Sequence, residues 1–265
     1  MRSPNSMTSP STGARPTTQE IEIPQYSRRM VLAVWAAAAL PMAVLAWVVG
    51  PAVAGDGASK DRFFVSLLCA LTLGLLWQAI LVGILLMRER SADPSWTNVR
   101  DRLWLRAPHT ATRRGGRLWW WVLPFALALA AMDMAPFGPM PPEDRSFGLF
   151  LESDAGQVLF HHNWWLYALC AFELALNTVV GEELLFRGLL LPRMSGAFGR
   201  ADWVVNGVLF GFYHLHEPWV IPNAVVTGFL CAGPTRRYRS ALMGIAIHSI
   251  ESVFFLLVLL PVVLG

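Results

Sequence analysis

Long apolar runs alternate with short polar breaks along most of the chain. Residues 30–55 carry no charge over 26 positions, and residues 63–87 none over 25. A helix needs about 20 residues to cross a ~30 Å hydrocarbon core, so each run predicts a membrane span. Pro41 inside the first is tolerated there as a kink. Residues 118–135 read as a third span, opening on the aromatic belt Trp119, Trp120 and Trp121. From 161 to 193 the pattern is one nearly continuous helix. It is longer than a bilayer core requires, so it begins at an interface or kinks at Gly181. Residues 203–216, 219–233 and 240–264 complete the set. The expected fold is all-α: a polytopic transmembrane helix bundle of seven spans, or eight if the long helix is broken. No internal repeat is evident.

Composition sharpens this picture. Of 265 residues, 55% are hydrophobic and only 15% charged, with 12 Trp and 15 Phe. A soluble domain carries about 25% charged residues. A disordered chain, a coiled coil and a nucleic-acid module are excluded, and a membrane protein is favoured. Three segments follow. Residues 1–29, rich in Ser, Thr, Pro and Arg, read as a disordered cytoplasmic tail with no signal peptide. Residues 30–157 hold the N-terminal transmembrane helices, and residues 158–265 a C-terminal helix bundle.

Charge orients the chain. The 88–117 loop holds eight Arg against three acids, and the 136–157 loop is net acidic. By the positive-inside rule the first is cytoplasmic and the second is not, with the N-terminus inside. Beside that plain reading the Arg run has two functional ones, a nucleic-acid patch or an anionic-lipid contact. Twenty of the 21 basic residues are Arg, a bias that suits a GC-rich bacterial genome and hence a bacterial plasma membrane. Cys69, Cys170 and Cys231 are isolated, so neither a disulfide framework nor a cysteine zinc site is indicated.

Ionisable groups at membrane depth need a reason, since a charge at the bilayer centre costs at least ~2.5–3.5 kcal/mol. In the stretch Gly181-Glu182-Glu183-Leu184-Leu185-Phe186-Arg187, Glu183 and Arg187 stand i,i+4 and can pair. Glu182 is turned about 100° away, and that pair leaves it unexplained. His214 and His248 lie in later spans, with Ser252 one turn beyond His248 and Glu251 nearby. Taken singly, each His reads as a packing residue, Glu183 and Arg187 as a buried ion pair, and Glu173 as a paired polar group. Counted from the nearest cytoplasmic arginine at 1.5 Å per residue, Glu182, His214, His248 and Ser252 lie at roughly 13–21 Å. Convergence would give a general base with polarising donors, or a metal site.

These residues resemble a known family. Glu182-Glu183-x-x-x-Arg187 looks like the EExxxR motif of the CAAX protease and bacteriocin-processing (CPBP, or Abi) intramembrane proteases. Phe210-x-x-x-His214 looks like their FxxxH motif, and the stretch to His248 resembles the approach to HxxxN, with Ser252 where the motif has Asn. The resemblance covers about residues 160–265. It implies a membrane endopeptidase acting on membrane-associated peptides or proteins. Glu182 and His214 would activate water, Glu183 and Arg187 would support them, and His248 and Ser252 would stabilise the oxyanion. It leaves the metal requirement open, with Glu182, His214 and His248 as candidate zinc ligands. The partners expected are the lipid bilayer and a peptide substrate, with no nucleic acid. A non-catalytic immunity or scaffold protein and a proton-coupled transporter are the alternatives. His216-Glu217-Pro218 is not a zincin motif, because Val220 stands where a second His would be and Pro218 breaks the helix.

Overall fold

The computed structural model describes residues 22–89, 95–134 and 137–265, the side chain of Asp133 aside. Residues 1–21 of the expected tail and 90–94 of the Arg-rich loop lie outside the described residues. Among the described residues the regular elements are helical, with one isolated bridge between His109 and Arg114. Seven longer helices are found among them. They are α1 (Arg28–Ala54), α2 (Lys60–Arg88), α3 (Val122–Met134), α4 (Trp164–Ala175, continued by Leu176–Leu190), α5 (Asp202–Tyr213), α6 (Ile221–Tyr238) and α7 (Ala241–Leu264).

Only α1, α2 and α7 among the described residues are long and apolar enough to cross a membrane. The segment Gly116–Met132 is a shorter apolar helix. At 12 residues α5 would be roughly 18 Å long, short of a hydrocarbon core. Acidic and basic residues interrupt α4. A helical membrane protein is what the chain supports, with three spans of that quality where the sequence predicts seven or eight. The outward faces of α1, α2 and α7 expose Leu40, Val48, Leu73, Ile80, Leu257 and Val258. In a bilayer such faces meet lipid rather than water.

The buried core gathers Val31, Val34 and Met42 of α1, Leu75 and Leu85 of α2, Leu185 and Leu189 of α4, and Phe210 and Tyr213 of α5. Glycines set how closely these helices approach. A Cβ at Gly181 would strike Leu75 at 2.6 Å, so the bare backbone lets α4 lie on α2. Gly207 of α5 and Gly228 of α6 face each other backbone to backbone. Without a hydrophobic drive in lipid, such small-residue contacts hold membrane helices together by packing.

The α4 helix departs from regular α geometry around Gly181. It widens to i→i+5 hydrogen bonding over Leu176–Leu190. Such widening is uncommon and recurs at functional sites. A shorter widened turn, Leu45–Val49, follows Pro41 in α1.

One end of the bundle is tied by a buried charge knot. Arg193 grips Glu89 through Nε at 2.5 Å and Nη2 at 2.8 Å, and Arg102 also pairs with Glu89. The Tyr26 hydroxyl donates to Glu89 Oε1 at 2.6 Å, and the Tyr26 amide donates to Arg193 O. Residues 22–27 are therefore seated on the bundle, whereas the sequence placed them in the tail. The apolar patterning gave no sign of this, because Tyr26 and the polar side chain of Gln25 make most of the contact. Burial pushes the Tyr26 hydroxyl up. Burial also opposes ionisation of Glu89, but Arg193, Tyr26 and Arg102 outweigh it and hold the carboxyl below its ordinary value.

Candidate active site

The widened segment of α4 carries Glu182, Glu183 and Arg187 inward, all buried. Glu183 Oε1 lies 3.0 Å from Arg187 Nη1, as the i,i+4 spacing predicts. The contact is ionic, since that N–H is not aligned for a hydrogen bond. Arg187 Nη2 donates to Gly228 O at 3.3 Å, and its guanidinium lies 4.0 Å over the Phe210 ring. The phenylalanine of the second motif thus supports the arginine of the first.

His214 owes its state to the end of α5. The helix stops there, and the His214 amide bonds back to Gly211 O, which frees the Phe210 carbonyl. The ring takes up that carbonyl through Nδ1 at 3.0 Å. A carbonyl only accepts, so Nδ1 carries a proton, and in the neutral ring Nε2 keeps its lone pair. That Nε2 faces Glu182 Oε1 at 3.5 Å. In that neutral form the two acceptors face each other, and a water set to one side of the pair reaches both.

His248 of α7 is held from both sides. Its Nδ1 is 3.1 Å from Glu183 Oε1, and its Nε2 is 2.9 Å from Glu251 Oε2 and 3.6 Å from Glu182 Oε2. Carboxylates accept, so with both ionised the ring donates from both nitrogens as an imidazolium. Thr227 Oγ1 donates to Glu251 Oε1 at 3.4 Å. Three carboxylates therefore stand against two cations, His248 and Arg187. Among the described residues Glu182 has no cation in hydrogen-bond contact, the nearest being His248 Nε2 at 3.6 Å.

Five of the six expected site residues come together: Glu182, Glu183, Arg187, His214 and His248. Ser252 is turned aside, with its hydroxyl 2.7 Å from Thr178 Oγ1. Glu251 fills the place beside His248. The i,i+3 spacing from His248 was the available signal for Glu251, and the sequence reading noted it without assigning it a role. Gln78 of α2, fully buried, donates to the Tyr213 hydroxyl at 2.6 Å, and no titratable group marked it. We expect Ser252→Ala to leave turnover near the native rate and to cost about 1 kcal/mol from the lost hydroxyl pair. Glu251→Gln should lower turnover several-fold by loosening His248. Paired rate and melting measurements separate the two, and a large rate loss in Ser252→Ala would return Ser252 to the cavity.

The expected zinc set, Glu182, His214 and His248, comes together, with His248 engaged elsewhere as well. Glu182 lies at ligand-like spacing from both histidines, since two ligands of one ion with ~2.1 Å bonds stand roughly 3.4 Å apart. His248 Nε2 is 2.9 Å from Glu251 Oε2 and would have to give up that contact and its proton to bind a metal. The ligand atoms of Glu183, Cys231 and His248 cluster within 4.8 Å of one another. There the Arg187 charge beside Glu183 opposes a cation. Glu173 lies elsewhere, lining an apolar-walled cavity of about 660 Å³ with Glu217, Phe64, Phe147 and Phe150; neither Glu182 nor His214 lines it.

Residues 163–254 match the family model described as Type II CAAX prenyl endopeptidase Rce1-like. The matched stretch holds all six expected site residues and Glu251. It is a CAAX protease family, as the motif resemblance implies. No curated protein and no solved structure matches the chain.

Proposed function

We propose that the α4–α7 helices form the catalytic centre of an intramembrane endopeptidase. The observation that carries this reading is the facing pair of acceptors, Glu182 Oε1 and His214 Nε2, at 3.5 Å. A water bridging them donates one proton to each acceptor. Glu182 takes a proton as the water oxygen attacks the substrate carbonyl. The carbonyl oxygen gains the negative charge, which the positive charge of the His248 imidazolium stabilises while its two N–H groups stay on Glu183 and Glu251. Collapse breaks the C–N bond, and the proton held by Glu182 passes to the leaving amine. No step requires an oxidant or a resident metal. The buried Glu183–Arg187 pair orients His248 and keeps its charge. Membrane-associated peptides or proteins are the substrate class supported by the family match and by the apolar faces of α1, α2 and α7.

The scaffold reading remains the competitor, since ion networks also fix helix packing. It explains Glu183, Arg187 and Glu251. It accounts for Glu182 and His214 only with a protonated His214, as one more ion pair. The test compares peptides released from membranes of cells carrying the native chain and the Glu182→Gln chain. Peptides present only with the native chain support hydrolysis and reveal the cut. Identical peptide sets favour the scaffold.

A further inference from the structure

At the end of the bundle that holds the charge knot, two adjoining hollows of about 790 and 760 Å³ share His109, Thr110, Arg236 and Arg239 and form one basin. Three separate stretches of chain bring arginines to it: Arg106, Arg113 and Arg114 from the Arg-rich loop, Arg200 before α5, and Arg236, Arg237 and Arg239 at the end of α6. Two acids, Asp101 and Asp202, line it as well, and Asp202 is already held by Arg236 at 2.7 Å. Arg113, Arg114, Arg200 and Arg237 are exposed and make no ion pair among the described residues.

A loop that merely obeyed the positive-inside rule would need no such convergence. Here the loop is stitched in place. His109 N donates to Tyr238 O at 3.1 Å, Arg106 Nε to Arg239 O at 3.3 Å, and Ala241 N to Trp104 O at 2.8 Å. The Ser240 hydroxyl donates to Arg106 O at 2.5 Å. The local field is strong enough to act on His109, whose pKa is lowered by burial and then by Arg106, Arg239 and Arg114. The level of the basin is marked by Trp203 and Trp104 in its walls and by the exposed rings of Trp120 and Trp121 on the turn that follows the loop. Tryptophans of this kind gather at the headgroup level of a bilayer.

We propose that this basin is a binding site for the phosphate headgroup of an anionic phospholipid. Guanidinium forks match phosphate oxygens in pairs. A basic pocket at the headgroup level selects anionic over zwitterionic lipid by its uncompensated charge. Lipid is favoured over a free phosphate because the basin adjoins the aromatic belt, where a headgroup is delivered by the membrane itself.

The test is thermal unfolding of the full chain in neutral detergent. Added phosphatidylglycerol should raise the melting temperature by roughly 5 °C, as a ligand that binds only the folded state does. Phosphatidylcholine with the same acyl chains and inorganic phosphate at equal concentration should give little rise. The variant Arg113→Gln/Arg114→Gln/Arg200→Gln/Arg237→Gln should lose most of the shift. The variant Lys60→Gln/Arg62→Gln, at the opposite end, should keep it. An equal shift with phosphatidylcholine, an equal shift with phosphate alone, or a full shift in the fourfold variant would each overturn the proposal. Should the fourfold variant not fold, native mass spectrometry of Arg200→Gln decides: fewer retained phosphatidylglycerol molecules support the site, and an unchanged number overturns it.

Discussion

Replacing Glu182 by Gln should reduce peptide-bond hydrolysis by about 10²–10⁴-fold, the range for a lost general base. The fold should stay intact. Glu182 shares no ion pair with Arg187, and its histidine contacts at 3.5 and 3.6 Å are too long for direct hydrogen bonds. An amide of the same shape adds no charge to the buried site. Glu183→Gln should differ in kind. It leaves Arg187 buried with its carboxylate partner gone, and it removes the acceptor for His248 Nδ1. That variant should lose both activity and several degrees of stability. Turnover and melting temperature measured on both proteins check the assignment. Near-native turnover in Glu182→Gln would remove Glu182 as the base, and equal destabilisation of both would reduce the pair to packing.

The second large effect lies far from the chemistry. Glu89→Ala strips the carboxylate from between Arg193 and Arg102, which are 0% and 4% exposed in their side chains. Breaking a buried pair from one side costs about 3–5 kcal/mol, because the remaining charge is left uncompensated. A melting temperature lower by on the order of 10 °C should follow. Glu143→Ala is the control, since the Lys60–Glu143 pair is exposed and should be worth less than about 1 kcal/mol. Acid should reach the same knot. The Glu89 carboxyl is held below its ordinary value of 4.5, so the unfolded chain binds its proton more readily. Its contribution is complete above that value and is lost as pH falls through the lower folded one. Unfolding followed between pH 6 and 3 should show a steeper loss for the native chain than for Glu89→Ala. Parallel curves would place the acid sensitivity elsewhere.

Sequence periodicity located α1, α2 and α7 within a few residues, because long uncharged runs have few other uses. The motif spacings brought out Glu182, Glu183, Arg187, His214 and His248, and these five do meet. What stayed hidden has physical causes. Depth follows from counting residues, but azimuth does not, so nothing in the chain turned Ser252 toward Thr178. The widening of α4 changes the angle between successive side chains, and no residue in Leu176–Leu190 announces it. The knot around Glu89 joins residues 104 apart in the case of Arg193. Pairings of that range leave no local trace. The shorter α5 and the charged α4 also explain why counting apolar runs predicts more spans than three.

Gly244 of α7 shows how a residue without chemistry can be as constrained as one with it. A Cβ there would press on the Glu183 carboxylate and lie 2.9 Å from Thr235 Oγ1 and 3.3 Å from Arg187 Cγ. The same α7 backbone carries His248 one turn onward. Adding a single methyl group would therefore displace the helix that delivers the imidazolium, without removing any catalytic atom. In a map of tolerated substitutions Gly244 belongs with Glu183 and Arg187 rather than with the other small residues of the bundle. The site is thus encoded partly by an absence of side chain, and a redesign that grafted only its charged residues onto another helix bundle would not reproduce it.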